Sequence, residues 1–136
     1  MEGVLREVTL ALPMAPEMEL EASKTAAAIA ESIRMNPDRI DEVRHAVIEA
    51  CINALEYSHA PEVFVTFQVL GEEDPEKLRI MVRDYGVGFD PEKPRRPRKP
   101  GEPPRGHGLQ IMRGLMDELQ IRSGPGGTTV VMSKMR

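Results

Sequence analysis

Two polar segments of the chain carry residue types and spacings that could handle a metal-bound phosphate and a heterocyclic base. Glu49 and Asn53 stand four positions apart, which places a carboxylate and a carboxamide one turn apart on a helix. Asp84 comes at the end of an apolar, strand-like segment and is followed by Gly86 and Gly88, which let the backbone turn tightly. Together these segments predict that Asp84 recognises a purine base and that Glu49 and Asn53 act at a metal-bound phosphate.

The helix that carries the first pair is predicted over residues 39–58, after Asn36-Pro37 ends a preceding helix and Asp38 forms the N-cap. A solvated face is the ordinary explanation of a polar stripe on such a helix, and the neighbouring segments weigh against it here. The side chains of this stripe fall within a quarter-turn of one another: Glu42, His45, Glu49, Asn53 and Glu56.

Alternating apolar residues predict a hairpin of two strands over about residues 63–69 and 78–84. Asp84 keeps the phase of the inward-facing residues of the second strand, so it is expected to point into the core. An unpaired carboxylate there costs several kcal/mol, so Asp84 needs a partner, such as a ligand amine or the backbone of a turn. Thr128 shares a face with Val130 and Met132 in a closing hairpin and shows the same phase.

The segment 90–105 is unlike the rest, since it holds six of the 12 prolines and six basic against three acidic residues. It predicts a long loop with polyproline-like stretches, interpreted as a basic lid over a polyphosphate, with a merely solvated loop as the alternative. Gly106-His107-Gly108 then opens a helix predicted over residues 109–118. Glycines at a helix start leave backbone N–H groups free for phosphate oxygens.

Bulk composition predicts one domain over residues 1–136, and neither a secretory signal at the N-terminus nor a membrane span is expected from the sequence. The formal charge of −4 gives no electrostatic case for binding nucleic acid. Cys51 is the only cysteine and is expected to be a buried structural thiol in a reducing compartment, so a cytoplasmic protein is predicted. A first strand over residues 4–12, expected at a sheet edge, and a helix over residues 17–35 complete the elements.

In this order the segments resemble the four motifs of the GHKL ATPase superfamily, whose ATP site is the Bergerat fold. Residues 49–53 match the N box, 84–89 and 106–109 the two glycine boxes, and Gly127-Thr128 the closing signature. Residues 115–119 and the single-domain length are similar to the small bacterial serine kinases of partner-switching systems, which act as anti-sigma factors. The resemblance implies an α+β fold, a two-layer α/β sandwich whose mixed, mostly antiparallel sheet is covered on one face by about three helices.

The same resemblance implies ATP and Mg²⁺ as cofactors and a role for each matching residue. Asn53 would bind Mg²⁺, and Glu49 would be the general base that takes a proton from an attacking hydroxyl. Asp84 would accept a hydrogen bond from the adenine amino group, and Thr128 would complete the adenine contact. The other matching positions would approach the base or the phosphates: Gly86, Gly88, Arg105, Gly106, His107, Gly108 and Leu109.

The leading functional prediction is an ATP-dependent protein serine/threonine kinase that binds and inhibits a sigma factor. It would phosphorylate a STAS-type anti-anti-sigma antagonist. The alternatives are a switch kinase acting only on STAS proteins, an ATP/ADP-binding regulatory module with little phosphotransfer, and the catalytic half of a two-component histidine kinase. Related anti-sigma kinases are usually dimers through the layer near the first strand and first helix, which leaves a homodimer open for this chain.

Overall fold

The computed structural model describes residues 3–58, 60–85 and 108–136, which form five strands and three helices in one α+β unit. The strands are β1 (Gly3–Pro13), β2 (Glu62–Gly71), β3 (Pro75–Asp84), β4 (Glu118–Gly124) and β5 (Gly127–Met135), and the helices are α1 (Met18–Ser32), α2 (Pro37–Tyr57) and α3 (Gly108–Leu115). No helix within these ranges is long and apolar enough to cross a bilayer.

The five strands form one open sheet in the order β1-β2-β3-β5-β4. The predicted α+β sandwich is confirmed, and the sheet is more regular than expected, because all four pairings among the described strands are antiparallel. Short connections of residues 72–74 and 125–126 join β2 to β3 and β4 to β5, and such connections produce antiparallel neighbours. β1 lies at one edge, as predicted.

The core lies between one face of this sheet and the three helices. α2 is the central helix, because it packs against α1 and α3 on its sides and against β3 and β5 beneath it. The largest fully buried side chains are aliphatic, aromatic or thioether groups from both layers: Phe67, Leu78, Ile80, Met112 and Met132. The alternation predicted for the strands therefore sets which face of the sheet carries the helices.

The start of α2 differs from the prediction. Asn36 is the N-cap, since its side-chain Oδ1 accepts a hydrogen bond from the backbone N–H of Asp38 at 2.9 Å. The expectation of an Asp38 N-cap was wrong, because Pro37 already occupies the first helical position. The fixed φ of proline suits this position, and a backbone N–H there would have no partner within the helix, so its absence costs nothing.

The end of α1 comes at Ser32, before the predicted end at position 35. Arg34 then adopts a left-handed φ of 60°, a conformation through which no α-helix continues.

The end of α3 comes at Leu115, three residues before the predicted end at position 118. Asp117 explains the early stop, because its backbone N–H donates to the Ser133 carbonyl at 3.0 Å. Its carboxylate Oδ2 also accepts from the backbone N–H of Met135 at 2.7 Å. These bonds tie the chain to β5, so that Glu118 already belongs to β4.

The two ends of the sheet differ in which strands and helices begin and finish there. At the Asp84 end, β3 finishes and β5 begins, and the short connection 58–61 brings the C-terminus of α2 to the start of β2. At the Lys134 end, β5 finishes and α2 begins, with the guanidinium of Arg39 at 3.4 Å from the Met135 carbonyl. α3 packs on α2 and ends near Lys134, so its first residue, Gly108, is the end of this helix that lies farther from Lys134.

Candidate functional site

Glu49 and Asn53 are buried on α2, with 8% and 1% of their surfaces exposed. His45, one turn earlier in the same stripe, is exposed, whereas Glu42 and Glu56 at the two ends of the stripe are half-buried. The solvated-face explanation is therefore wrong for Glu49 and Asn53. Because residues four apart on a helix are neighbours, a carboxylate and a carboxamide lie side by side beneath the surface of the protein.

Asp84 is the last residue of β3 and is 5% exposed, which confirms the prediction that it points inward. It pairs directly with Val63 of β2 and with Thr128 of β5. Thr128 is also buried, and its Oγ1 lies 2.7 Å from Oγ of Ser123 across the β4–β5 hairpin. An inward carboxylate and a buried hydroxyl thus stand next to each other on adjacent strands.

Gly127 makes this juxtaposition sterically feasible. Its φ of 120° lies in the region that side chains disfavour, and a Cβ added to it would come 2.1 Å from the Asp84 carbonyl oxygen and 2.8 Å from Cα of Tyr85. The backbone of β5 therefore approaches the end of β3 more closely than any other residue type would allow. Gly127 belongs to the closing signature in the sequence, but residue type alone does not indicate this steric role.

Ser123 is a further contributor that the sequence reasoning missed. The two-residue turn 125–126 pairs Gly124 with Gly127 and thereby Ser123 with Thr128. That register was readable from the hairpin, because a tight turn between two alternating strands fixes which residues face each other. The Ser123 hydroxyl holds the Thr128 hydroxyl in place beside Asp84.

The chain leaves the site through Tyr85, whose ring is held on the outer face of the sheet. The Arg83 guanidinium lies 4.6 Å from the centre of this ring, and the Phe64 ring meets it edge-on at 5.7 Å between centroids. Arg83 also donates to the Thr129 hydroxyl at 2.7 Å. Tyr85 itself is 58% exposed, so these contacts fix the direction of the backbone just after Asp84 and leave one side of the ring open.

The remaining predicted residues divide between the start of α3 and the part of the chain outside the described ranges. Gly108 opens α3 and is buried, and Leu109 is buried behind it, with Met112 completing the apolar side of the helix. The helix predicted here is confirmed over Gly108–Leu115. The other predicted positions lie outside the described residues, as does the lid predicted over residues 90–105: Gly86, Gly88, Arg105, Gly106 and His107.

The buried polar groups at the Asp84 end suit a nucleotide carried with a divalent cation. Glu49 and Asp84 are both acidic, and the buried residues of the described ranges include no cation at this end of the sheet. A polyphosphate would be repelled by such a site unless a cation came with it. Mg²⁺ prefers carboxylate and amide oxygens, takes one or two protein ligands and completes its shell with phosphates and water, so Asn53 and Glu49 fit it. The described residues hold no group of three or more His, Cys, Asp or Glu side chains of the kind a closed metal site needs.

Cys51 lies between Glu49 and Asn53 in sequence but on the opposite, fully buried side of α2. Burial raises the pKa of its thiol from 9.0 to about 12, with a smaller contribution from the negative charge of Glu19. The thiol is therefore protonated at neutral pH and is not a nucleophile. The prediction of a buried structural thiol is confirmed.

Comparison with known proteins places this arrangement in a family. Residues 12–134 match the family model described as the histidine kinase-like ATPase domain. The serine-protein kinase RsbW of Bacillus velezensis is 30% identical over 139 residues, covering 93% of this chain and 84% of the relative. The serine-protein kinase RsbW of Bacillus cereus is 31% identical over 136 residues, covering 94% of this chain and 84% of the relative.

Solved structures share the fold at lower identity. The crystal structure of the RsbU and RsbW domains of Rv1364c from Mycobacterium tuberculosis matches with a TM-score of 0.71 at 19% identity, covering 96% of this chain and 32% of that one. The histidine kinase domain of a blue-light activated histidine kinase from Erythrobacter litoralis matches with a TM-score of 0.55 at 19% identity, covering 90% and 64%. The predicted superfamily and enzyme class are confirmed: the chain belongs to the histidine kinase-like ATPase domain family, and within it to the RsbW-type serine/threonine-protein kinases.

Proposed function

We propose that this protein is an ATP-dependent kinase of a bacterial partner-switching system, which binds and inhibits a sigma factor and phosphorylates a STAS-type anti-anti-sigma protein on a hydroxyl side chain. The observation that carries the proposal is the burial of Glu49 beside Asn53, on the helix that ends where Asp84 and Thr128 meet. The RsbW relatives support the choice of a serine-protein kinase over other ATP-binding proteins.

Asp84 and Thr128 form the proposed adenine contact. The exocyclic amino group of adenine donates a hydrogen bond, and the Asp84 carboxylate is an acceptor that only a donor can satisfy. Guanine presents a carbonyl oxygen at the corresponding position, which would face the carboxylate unfavourably. The Thr128 hydroxyl, oriented by Ser123 at 2.7 Å, can donate to a ring nitrogen or to a bridging water. Gly86 and Gly88 complete the proposed approach to the base.

Asn53 is the proposed protein ligand of Mg²⁺, through its side-chain oxygen. The ion supplies charge neutralisation at the phosphates when it is bound. The backbone N–H groups at the start of α3, from Gly108 and Leu109, face the phosphates in this proposal and use the positive end of the helix dipole. Arg105, Gly106 and His107 directly precede this helix in sequence and are proposed to add donors there.

Glu49 is the proposed general base. The acceptor hydroxyl oxygen forms a bond to the γ-phosphorus, the bond from that phosphorus to the bridging oxygen of ADP breaks, and the hydroxyl proton passes to the Glu49 carboxylate. Positioning contributes most of the rate in such a transfer, and the base must lie within hydrogen-bond reach of the acceptor. The burial of Glu49 restricts its rotamers and keeps the carboxylate beside Asn53.

The role of Glu49 is tested by Glu49→Gln, which keeps the size of the side chain and removes the base. We expect ATP affinity, measured by calorimetry, to stay within about threefold and phosphorylation of the STAS partner to slow by about 10²-fold or more, a size typical of general-base catalysis. Glu31→Gln, at an exposed position of α1, is the matched control. Unchanged phosphorylation in Glu49→Gln, measured by transfer of labelled phosphate from ATP, would remove Glu49 from the mechanism.

The partners are tested by co-purification in the presence of ATP or ADP, followed by mass spectrometry. Recovery of both a sigma factor and a STAS protein supports the full proposal, and recovery of STAS proteins alone indicates a switch kinase.

A second candidate function is a nucleotide-binding regulatory module with little phosphotransfer. One observation favours it: the proposed roles of the buried residues Asn53, Asp84 and Thr128 require only a nucleotide and no hydroxyl acceptor for the phosphate. Partner binding that depends on ATP without measurable phosphate transfer would select it.

A further inference from the structure

Lys134, near the end of β5, is a charged group buried in the core far from the proposed site. It is 4% exposed and keeps the phase of Thr128, Val130 and Met132, so its side chain points under the helices. Among the described residues it is the one buried cation. Because a buried charge is costly without partners, the groups around its ammonium show what holds it there.

Three groups outside β5, from α2 and from the end of α3 and the residues just beyond it, lie close to the ammonium. The Lys134 Nζ donates to the carbonyl oxygen of Leu115, the last residue of α3. It lies 3.4 Å from Oε2 of Glu42 on α2 and 3.9 Å from Oδ1 of Asp117 in the link to β4. Lys134 therefore joins α3, α2 and β5 through one charged group.

The contact with Leu115 lies at the C-terminus of α3, which is the end of a helix that a cation stabilises most. The last carbonyls of a helix have no intrahelical partner and carry the negative end of the helix dipole. α3 has eight residues and spans about 12 Å, so fixing its C-terminus also fixes the direction in which its N-terminus points. That N-terminus, Gly108, is the end of α3 that lies farther from Lys134.

The chain just beyond α3 is tied to β5 by the hydrogen bonds of Asp117, and the Lys134 contact adds a charged anchor on the last carbonyl of the helix itself. Within the described residues, the helix packs on α2 and β4 mainly through its apolar side, including Leu109 and Met112. Apolar packing tolerates small rotations and translations, whereas a charge-assisted hydrogen bond sets a distance and a direction. Glu42 links the same ammonium to α2, the helix that carries Glu49 and Asn53.

We propose that Lys134 is a positioning residue for phosphate binding: by holding the C-terminus of α3 against α2, it aims the N-terminus of α3 at the phosphates of the nucleotide. This inference rests on the proposed function for the identity of the ligand. Lys134 touches neither base nor phosphate, so its effect is on phosphate contacts made through the helix. The adenine contact, formed by Asp84 and Thr128 on the sheet, does not depend on α3.

The test compares two ligands in calorimetric titrations, ATP with Mg²⁺ and adenosine, for the wild type and Lys134→Met. Methionine keeps most of the volume of lysine and removes the charge. We expect the affinity for ATP to fall about tenfold and the affinity for adenosine to stay within about twofold. Lys77→Met is the matched control, because Lys77 is a half-buried lysine whose Nζ lies 3.2 Å from Glu118 on the outer face of the sheet, away from α3. It should leave both affinities unchanged.

Equal losses for ATP and adenosine, or no loss for either, would overturn the inference, because a general loosening of the fold does not distinguish phosphate from base. If Lys134→Met does not fold, Lys134→Gln, whose side chain is shorter and uncharged, is measured with the same expected and overturning results. A wild type that binds neither ligand would instead defeat the proposed function, and this inference with it. A wild type that binds both, with Lys134→Met altering neither, defeats the inference alone.

Discussion

The Asp84 end and the Lys134 end of the sheet both hold polar groups beneath the helices, but they balance charge in different ways. At the Lys134 end, one buried ammonium faces two carboxylates and a helix carbonyl, so the opposite charges come from the same chain. At the Asp84 end, the buried polar groups are two acids, an amide and two hydroxyls: Glu49, Asp84, Asn53, Thr128 and Ser58. A cluster balanced internally stabilises a fold, whereas one rich in acids suits a ligand that brings a cation and hydrogen-bond donors.

The two ends also differ in what fixes their backbone. The Lys134 end is tied by side chains, as Asp117 accepts from the Met135 N–H at 2.7 Å and lies 3.4 Å from the Arg39 guanidinium. The Asp84 end depends on the absence of a side chain at Gly127. Substitutions at the first end should therefore weaken contacts in a graded way, and those at the second should interfere with the backbone itself.

The largest effect is expected for Gly127→Ala. Its Cβ would lie 2.1 Å from the Asp84 carbonyl oxygen, and its φ of 120° is strained for alanine, so β5 must move away from β3. We expect a loss of about 3 kcal/mol or more in the free energy of unfolding, measured by urea titration, together with loss of nucleotide binding. Gly126→Ala is the control, since nothing lies within 4 Å of its Cβ. Equal stability of the two variants would show that the close approach is not required.

Asp84→Asn should weaken the binding of ATP and change the preference between nucleotide bases. Loss of a charged acceptor for the adenine amino group corresponds to about 1.5–3 kcal/mol, or roughly a 10- to 100-fold weaker affinity for ATP. The amide can donate to the oxygen of hypoxanthine, so the preference for ATP over ITP should narrow. Both affinities are measured by calorimetry, with the exposed Asp41→Asn as control. An unchanged ATP to ITP ratio would argue against base recognition by Asp84.

Asp117→Asn tests the Lys134 end. It removes the negative charge that faces Lys134 and Arg39 and that strengthens the hydrogen bond accepted from the Met135 N–H. Because the carboxylate is partly exposed, screening by solvent limits the effect. We expect a loss of about 1 kcal/mol in the free energy of unfolding. Glu118→Gln removes a more exposed acid, paired with Lys77 at 3.2 Å, and should cost less than about 0.5 kcal/mol. A larger loss for Glu118→Gln would contradict the assignment of Asp117 as the structural acid at this end.

A similarly small effect at neutral pH is expected for Cys51→Ala, which removes one buried sulfur and should cost about 1 kcal/mol or less in the free energy of unfolding. At high pH the sign reverses in favour of the variant. The folded state keeps the thiol protonated up to about pH 12, while the unfolded state releases the proton from about pH 9, so the wild type loses stability as the pH rises between them. By pH 10 this loss is about 1.4 kcal/mol. Urea titrations of both proteins at pH 7 and pH 10 measure it, and a constant difference would contradict the raised pKa.

Much of the fold was predictable because its signals are local. Alternation in residues 63–69 and 78–84 placed both strands and the inward phase of Asp84, and that phase depends only on the two-residue period of a strand. The same rule applied to β5 would have shown that Lys134 points inward, since it follows Thr128, Val130 and Met132 at even spacing. Errors arose at helix ends, where Pro37 and Asp117 act through specific local geometry and hydrogen bonds rather than through a repeating pattern.

The sequence by itself determined the element order, the pairing of Glu49 with Asn53 on one helical face and the family resemblance, because these depend on residue types at fixed spacing. Only the tertiary structure decided that the polar stripe of α2 is buried at Glu49 and Asn53 and exposed at His45. It also decided that Gly127 admits no side chain and that Lys134 joins α3 to α2. Burial and close approach depend on which distant segments meet, and no local period encodes that.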